Sequence, residues 1–442
     1  MAEFDAIVIG TGQSGPSLAV RLAKAGRKVA VVERHLFGGT CVNTGCIPTK
    51  TLVASARAAH VARRAADFGV VIEGPVRVDM AAVKARKDRV SGKSRTGVQS
   101  WLESTQGCTV FRGHARFTAD HEVAVGDTVM TAPEIFINVG GRAAVPPLPG
   151  LDAIPYLTNT TILDLDTLPE HLVILGGSYI ALEFAQMYRR FGSRVTVVER
   201  GPHLLSREDA DVSECVLEIL RGEEIEVCLN APLGSADDLP RGSHLLVATG
   251  RRPNTDDLGL EYTSIACDAH GYIQVDDELR TTTGGVWAIG DCNGKGAFTH
   301  TSYNDYEIVS ANLLDGDRRR VSDRITAYAV YIDPPLGRAG KTDREIERSG
   351  RKVLSAKRLM TRVGRAEEKG ETQGFMKITV DAETKQILGA AILGIEGDEA
   401  IHCILDVMYT KAPYTTLQRA MHIHPTVSEL IPTLLGDLQP RS

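Results

Sequence analysis

The chain lacks several features, and each absence excludes a class of function. No apolar stretch reaches the roughly 18 residues that a membrane-spanning helix needs, so no membrane partner is expected. No basic block stands out: 50 Lys and Arg against 56 Asp and Glu leave a net charge of −6. Nucleic acid is therefore not an expected partner. The N-terminus runs from MAEFD straight into AIVIG, with no charged-then-apolar leader. This points to the cytoplasm. Cysteine is sparse, eight in 442 residues, too few for a disulfide scaffold. Six of them (Cys108, Cys215, Cys228, Cys267, Cys292, Cys403) stand alone, and only Cys41 and Cys46 form a close pair. In a reducing compartment such a pair is more often catalytic or metal-binding than structural.

What is present suits an ordinary globular protein. Hydrophobic residues make up 43% of the chain and charged residues 24%, enough for a packed core. The length suggests about two to four domains at roughly 100–200 residues each.

Two strand–glycine–helix units carry the strongest pattern. The first, FDAIVIGTGQSGPSLAVRLAKAGRKVAVVER, sets Gly10, Gly12 and Gly15 after an apolar strand and ends a second strand in Glu33. The second, HLVILGGSYIALEFAQMYRRFGSRVTVVER, has the same order and ends in Glu199. An isolated Gly-x-Gly-x-x-Gly is weak. The whole strand–loop–helix–strand–acid arrangement points strongly to a dinucleotide. One glycine makes the turn, the next lets the backbone approach a pyrophosphate, and the third lets helix and strand pack. The helix N-terminus offers free N–H groups to the phosphates, and the acid can accept from ribose hydroxyls. In the second unit Ser178 replaces the middle glycine and Ala181 the last. Ala181 is a tolerated variant, while Ser178 crowds the phosphate approach slightly.

Further strands end beside a ligand. EIFINVGGRAAVPPLPG and HLLVATGRRPN each end in glycine and would mark crossings between domains. GGVWAIGDCNG ends a strand at Gly290–Asp291, where an Asp can bind a ribityl or ribose hydroxyl. From Tyr328 onward no dinucleotide motif recurs. KITVDAETKQILGAAILG reads as two strands joined by a turn, and EAIHCILDVMYTKA as a helix. This tail is expected to be an α+β domain for substrate or dimer contact.

In order, GTGQSG, GGTCVNTGCIPTK, GGSYIALEFA, ATGRRPN, AIGD and HIHPTVSE resemble the class I pyridine nucleotide–disulfide oxidoreductases, over nearly the whole chain. GGTCVNTGCIPTKTLV and FTHTSYNDYEIV resemble the mercuric-reductase-like branch in particular. The resemblance implies an α/β fold with two Rossmann-like dinucleotide-binding domains, for FAD and NAD(P), and a C-terminal α+β dimerisation domain. The implied division is 1–145 for the first part of the FAD domain, 146–252 for a shortened NAD(P) domain, 253–322 for the second FAD part, and 323–442 for the interface domain. It assigns Gly10, Gly12, Gly15, Glu33 and Asp291 to FAD. It assigns Gly176, Ser178, Ala181 and Glu199 to NADPH or NADH. Gly39, Thr40, Lys50, Gly140, Arg200 and Gly250 join the cofactor contacts. Tyr179 and Glu183 would lie near nicotinamide and flavin, with Lys50 close to Glu183.

The same resemblance makes Cys41 and Cys46 a redox-active disulfide. Bridged Cα atoms lie about 4.4–6.8 Å apart, while five residues of regular helix rise by roughly 7.5 Å. Cys41 is therefore expected in an irregular turn ahead of the helix, with Gly38, Gly39 and Gly45 supplying freedom and Pro48 in the first helical turn. A helix start also lowers a thiolate pKa. A zinc site usually needs four ligands, and no second Cys-x-x-Cys or nearby histidine completes a set. By analogy NAD(P)H reduces the flavin, which reduces the disulfide. Cys46 is the flavin-side thiol and Cys41 the thiol that attacks substrate. His424, oriented by Glu429, would be the acid/base donated across a homodimer whose active site is shared. His422 is expected to have only a structural role.

Two departures shape the expected acceptor. No cysteine follows Cys403 and no N-terminal metal-binding domain is present, so efficient Hg(II) reduction is not expected, nor a C-terminal redox relay of the large thioredoxin reductase kind. Between EIEVCLNA and HLLVATG lies only PLGSADDLPRGS, which predicts a less covered face on the NAD(P) domain and weaker nicotinamide binding. Glu199 favours a free ribose 2′-hydroxyl, whereas Arg200 and Arg207 could attract a 2′-phosphate. The branch leans toward NADPH. The expected function is thus an NAD(P)H oxidoreductase passing electrons through FAD and Cys41–Cys46 to a small-molecule disulfide, an oxidant or a metal ion. The alternatives are dihydrolipoamide dehydrogenase and a non-turning-over flavoprotein acting as a redox sensor or dimeric binding protein.

Overall fold

The first glycine unit folds as two parallel strands, Ala6–Ile9 and Val29–Glu33, joined by the helix Gly15–Lys24. The computed structural model describes residues 2–441. These strands sit centrally in a five-stranded parallel sheet, in the order Val286–Ala288, Glu134–Ile137, Ala6–Ile9, Val29–Glu33, Cys108–Arg112. Helices and loops cover both faces, which explains why the central strands read as unbroken apolar runs.

Strand Glu134–Ile137 and its neighbour Val286–Ala288 are separated by a long insertion. The chain leaves along Gly141–Ala143 and returns along Arg251–Pro253, which pair antiparallel. Both glycine-ended segments therefore lie at the crossing. Between them the second unit builds its own parallel sheet, in the order Glu226–Cys228, Arg194–Val198, His171–Leu175, His244–Val247. The helices Tyr179–Phe191 and Ala210–Gly222 pack on one face. The other face is not bare, contrary to the expectation from the short 232–243 connection. Val173, Leu175, Val198, Leu245 and Val247 are buried there under Leu151 and Ala236, flanked by Leu148, Ile154, Leu233 and Leu239. Two short stretches, each with one 3-10 turn (Leu151–Ala153 and Ala236–Asp238), replace a longer layer.

A small sheet of Ala2–Glu3, Thr128–Thr131, Glu122–Val125 and Ala115–Ala119 flanks the first domain. The last third forms a six-stranded antiparallel sheet, Ala327–Val330, Leu336–Gly340, Ile387–Leu393, Phe375–Asp381, Val353–Leu359, Gln439–Pro440. The helix Gly397–Tyr409 buries Ile401 and Ile404 against its core. Among the described residues no helix is long and apolar enough to cross a membrane.

Candidate active site

The site begins at the first glycine turn. A Cβ on Gly10 would fall 2.3 Å from the Asn138 carbonyl, one on Gly12 2.8 Å from Asn138 Oδ1, and one on Gly15 2.3 Å from the Gly10 carbonyl. Asn138 fixes this cradle: its Oδ1 accepts from Gly15 N at 3.0 Å, and its Nδ2 donates to Ile289 O at 2.9 Å. Glu33 Oε2 accepts from the Thr11 amide (3.1 Å) and hydroxyl (2.5 Å), while Oε1 accepts from His35 N at 2.8 Å. The second loop presses on the first, since a Cβ on Gly39 would lie 2.8 Å from Gly12 Cα. Thr40, Gly140 and Asp291 line the same cavity, which has a volume of about 1240 Å³. Small ligand pockets run to roughly 1,000 Å³, so this space suits a long dinucleotide such as FAD. The backbone-lined turn and the free helix N-terminus suit its pyrophosphate.

The cysteines lie on the cavity wall. Cys41 is not in an irregular turn as expected; it sits on the short helix Gly39–Asn43. The irregularity falls at Thr44 and Gly45, and Cys46 opens the long helix Cys46–Arg63. A break between two helices brings the thiols together just as an irregular lead-in would. Both are unbridged, and each shifts the other's ionisation. Cys46 Sγ also lies 3.2 Å from Thr299 Oγ1. Its pKa is lowered to about 6, first by the Cys41 hydrogen bond and against burial, with help from Thr299 and the Lys50 charge. The Cys41 thiol is pushed up, by its bond to Cys46 and by burial. Within the pair the shifts favour ionisation of Cys46 over Cys41.

Lys50 is held by Glu183 at 2.7 Å and lies over the Tyr331 ring. Glu183, 3% exposed, also accepts from Tyr331 N at 3.0 Å. This pair joins the cysteine helix to the helix of the second glycine unit. One turn earlier, Tyr179 tilts against Phe298 at 5.8 Å, and burial pushes its phenol up to about 12.

At the second turn, a Cβ on Gly176 would lie 2.5 Å from the Ala248 carbonyl. Ser178 is exposed just ahead of the helix, and Ala181 is fully buried. Glu199 Oε1 accepts from Gly201 N at 2.6 Å. Arg200 is exposed, and Gly250 has φ +138° with open space beside it. Arg251 reaches Asp291 at 3.2 Å, tying the return crossing to the first cradle. Arg207, Arg251, Arg252 and Lys295 line a second cavity of about 620 Å³ beside Asp291. Of these four cations, Arg251 alone has an ion-pair partner among the described residues.

His424 is not brought to the dithiol by its own chain. It is 80% exposed, lies off the cavity wall, and is held through Nδ1 by Glu429 at 2.9 Å. His422 is tied by Nδ1 to Ser428 O at 2.7 Å. Asp209, Asp211 and Asp343 cluster closely, but the Lys377 ammonium already sits 2.8–2.9 Å from all three. Sequence reasoning missed Asn138, Thr299, Phe298 and Tyr331. Phe298 and Thr299 had a signal, because they open FTHTSYNDYEIV shortly after Asp291, and Asn138 had one in the strand end EIFINVGG; Tyr331 had none.

Two dinucleotide cradles that meet at a dithiol define a two-electron oxidoreductase. Residues 4–305 match the model of the pyridine nucleotide-disulphide oxidoreductase family, and residues 326–435 match that family's dimerisation domain. The "probable pyridine nucleotide-disulfide oxidoreductase RclA" of Escherichia coli is 36% identical, over 99% of both chains. A mercuric reductase of Streptomyces lividans is 32% identical, over 97% of this chain and 94% of that one. A dihydrolipoyl dehydrogenase of Chlamydia muridarum is 31% identical, over 97% and 95%. The solved "HOCl-induced flavoprotein disulfide reductase RclA" of E. coli superposes with a TM-score of 0.90 at 35% identity, covering 98% of this chain and 99% of that one. The chain belongs to the pyridine nucleotide-disulfide oxidoreductase family. It is a flavoprotein oxidoreductase of a family that carries FAD and uses NAD(P)H, and it has the family's dimerisation domain.

Proposed function

We propose that the protein uses NAD(P)H to reduce a Cys41–Cys46 disulfide, and that this dithiol reduces a small oxidant, a disulfide or a metal ion. The observation that carries the reading is the placement of Cys41 and Cys46 together on the cavity wall, with Thr299 Oγ1 3.2 Å from Cys46 Sγ and the Lys50–Glu183 pair beside them. When bound, FAD supplies two-electron transfer between nicotinamide and sulfur. Gly10, Gly12, Gly15, Glu33, Gly39, Thr40, Gly140 and Asp291 hold it. Gly176, Ser178, Ala181, Glu199, Arg200 and Gly250 hold the nicotinamide dinucleotide, and Tyr179 lies over its route. Lys50 and Glu183 set the charge beside Cys46. Cys41 attacks the acceptor.

We favour NADPH over NADH because Arg200, next to Glu199, and Arg207 are exposed cations that could meet a 2′-phosphate. The acceptor class follows the E. coli relative RclA, described as HOCl-induced and also solved as a Cu(II) complex. A homodimer with shared active sites completes the site: His424 of one subunit, oriented by Glu429, serves the dithiol of the other. Met421 and Ile423 beside it are 98% and 79% exposed in the single chain, apolar surface that a partner would cover. We assign 1–145 and 253–322 to the FAD domain, 146–252 to the NAD(P) domain and 323–442 to the interface domain. The sparse cysteines of the sequence suit a reducing compartment, and we place the protein in the cytoplasm.

The test is steady-state turnover with NADPH and NADH against lipoamide, glutathione disulfide, Hg(II), Cu(II) and hypothiocyanite. Turnover should vanish in Cys41→Ser and Cys46→Ser while NAD(P)H still bleaches FAD. Full turnover in Cys46→Ser overturns the proposal. Bound FAD that neither coenzyme reduces would make the protein a sensor instead. The His424–Glu429 pair also suits a disulfide substrate, so lipoamide turnover above all others would identify a dihydrolipoamide dehydrogenase.

A further inference from the structure

A closed circuit of contacts joins the second glycine turn to the aromatic wall beside Cys46. Leu205 N donates to Gly177 O at 2.9 Å, which stitches the 199–209 segment to the turn. Three residues on, Glu208 is 6% exposed and accepts the Tyr328 hydroxyl at 2.5 Å. Arg338, 2% exposed, holds Glu208 and Asp209 from the C-terminal sheet, so the acceptor cannot swing away. The Tyr328 ring stacks on Phe298 at 5.4 Å and 10°, and Phe298 stacks on His300 at 5.4 Å and 8°. Phe298 touches Tyr179, which opens the helix that follows Gly177 and Ser178. The path thus returns to where it began. Thr299, between Phe298 and His300, is the residue against Cys46. Nothing in the dinucleotide motifs accounts for this link, since Tyr328 lies in the C-terminal sheet.

We infer that Tyr328 is a positioning residue for the nicotinamide dinucleotide, its hydrogen bond to Glu208 locking the coenzyme-binding turn against the aromatic stack beside the dithiol. The inference rests on the reading that residues 176–207 receive that coenzyme. Binding there presses on the turn and on the 199–209 segment. The Tyr328–Glu208 bond then fixes where Tyr179 and Phe298 stand. Without it the stack keeps its rings but loses its tether to the turn.

The experiment uses FAD-loaded Tyr328→Phe, which keeps the ring and removes only the hydroxyl. KM for the preferred coenzyme should rise about tenfold, the order expected for losing one hydrogen bond to a carboxylate. KM for the acceptor should stay within about twofold, well under the tenfold that 1.4 kcal/mol represents. The increase in melting temperature on adding a non-reducing coenzyme analogue should shrink relative to the parent. Phe298→Leu, which removes the stack but not the hydrogen bond, should also raise the coenzyme KM. An unchanged coenzyme KM in Tyr328→Phe overturns the inference. So does an equal fall in melting temperature with and without the analogue, which marks a structural role only. Failure of the parent protein to be reduced by either coenzyme is a different result, and refutes the underlying assignment instead.

Discussion

Replacing Thr299 with Val tests where the thiolate sits. The hydroxyl lies 3.2 Å from Cys46 Sγ and is one of three groups that lower its pKa to about 6, with the Cys41 thiol and the Lys50 charge. Val keeps the branched shape and removes the hydrogen bond. A hydrogen bond to a charged group contributes about 1.5–3 kcal/mol. Cys46 faces the cavity, where water can partly substitute, so the lower part of that range applies. About 1.4–2 kcal/mol corresponds to a rise of ~1–1.5 units. The apparent pKa should therefore move to ~7–7.5, and the thiolate fraction at pH 7 should fall from ~90% to ~25–50%. The assay is alkylation of the reduced enzyme by iodoacetamide across pH 4.5–9.5, with the modified peptide located by mass spectrometry. Thr299→Ser retains the hydroxyl and should stay near the parent value. A Val variant within ~0.3 units of the parent, or a lower midpoint at Cys41 than at Cys46, refutes the reasoning.

Four further outcomes are expected. Cys46→Ser should abolish the long-wavelength absorbance that appears on anaerobic two-electron reduction, and persistence of that band would show that the other sulfur makes it. Gly12→Ala drives a methyl into Asn138 Oδ1, 2.8 Å away and anchored at both ends; FAD affinity should weaken at least about tenfold, read as the flavin-to-protein absorbance ratio after gel filtration. His424→Ala should lower acceptor turnover by about 10²–10⁴-fold without slowing flavin bleaching by NAD(P)H in stopped flow, and equal slowing of both would remove His424 from the acceptor step. Arg338→Met leaves Glu208 and Asp209 buried without their guanidinium, at a cost of about 3–5 kcal/mol in chemical denaturation. Burial raises the Asp209 carboxyl, but Arg338 and Lys377 outweigh it and hold the group below its ordinary value. Its stabilisation is therefore present above about pH 4 and lost as pH falls further, so the parent should lose more stability in acid than the variant does.

The sheets were legible because their signals are local. Apolar strand, glycine turn, amphipathic helix and second strand recur within about thirty residues, and both units folded as read. The coverage of the second sheet was not legible. Leu151 and Ala236 reach Val173 and Val247 from opposite ends of the insertion, and no periodicity in a dozen coil residues announces that. The position of Cys41 was misjudged for a related reason. Spacing shows that one regular helix cannot bridge the pair, but it does not say whether the interruption precedes Cys41 or follows it. The backbone breaks after it, at Thr44 and Gly45.

The sequence by itself determined the family pattern, the two glycine units and the close spacing of the sulfur pair. Each depends on residue types at short fixed spacings, or on motifs that hold their order. Tertiary structure decided what stands against the sulfur pair, because Thr299 arrives from 253 residues away to touch Cys46. It also decided that Asn138 locks the first glycine turn across 123 residues, and that Glu208 meets Tyr328 across 120. Hydrogen bonds between such distant segments exist only once the sheets have set the distance between them. Packing also left His424 exposed, held by the largely buried Glu429 and off the wall that carries its own dithiol.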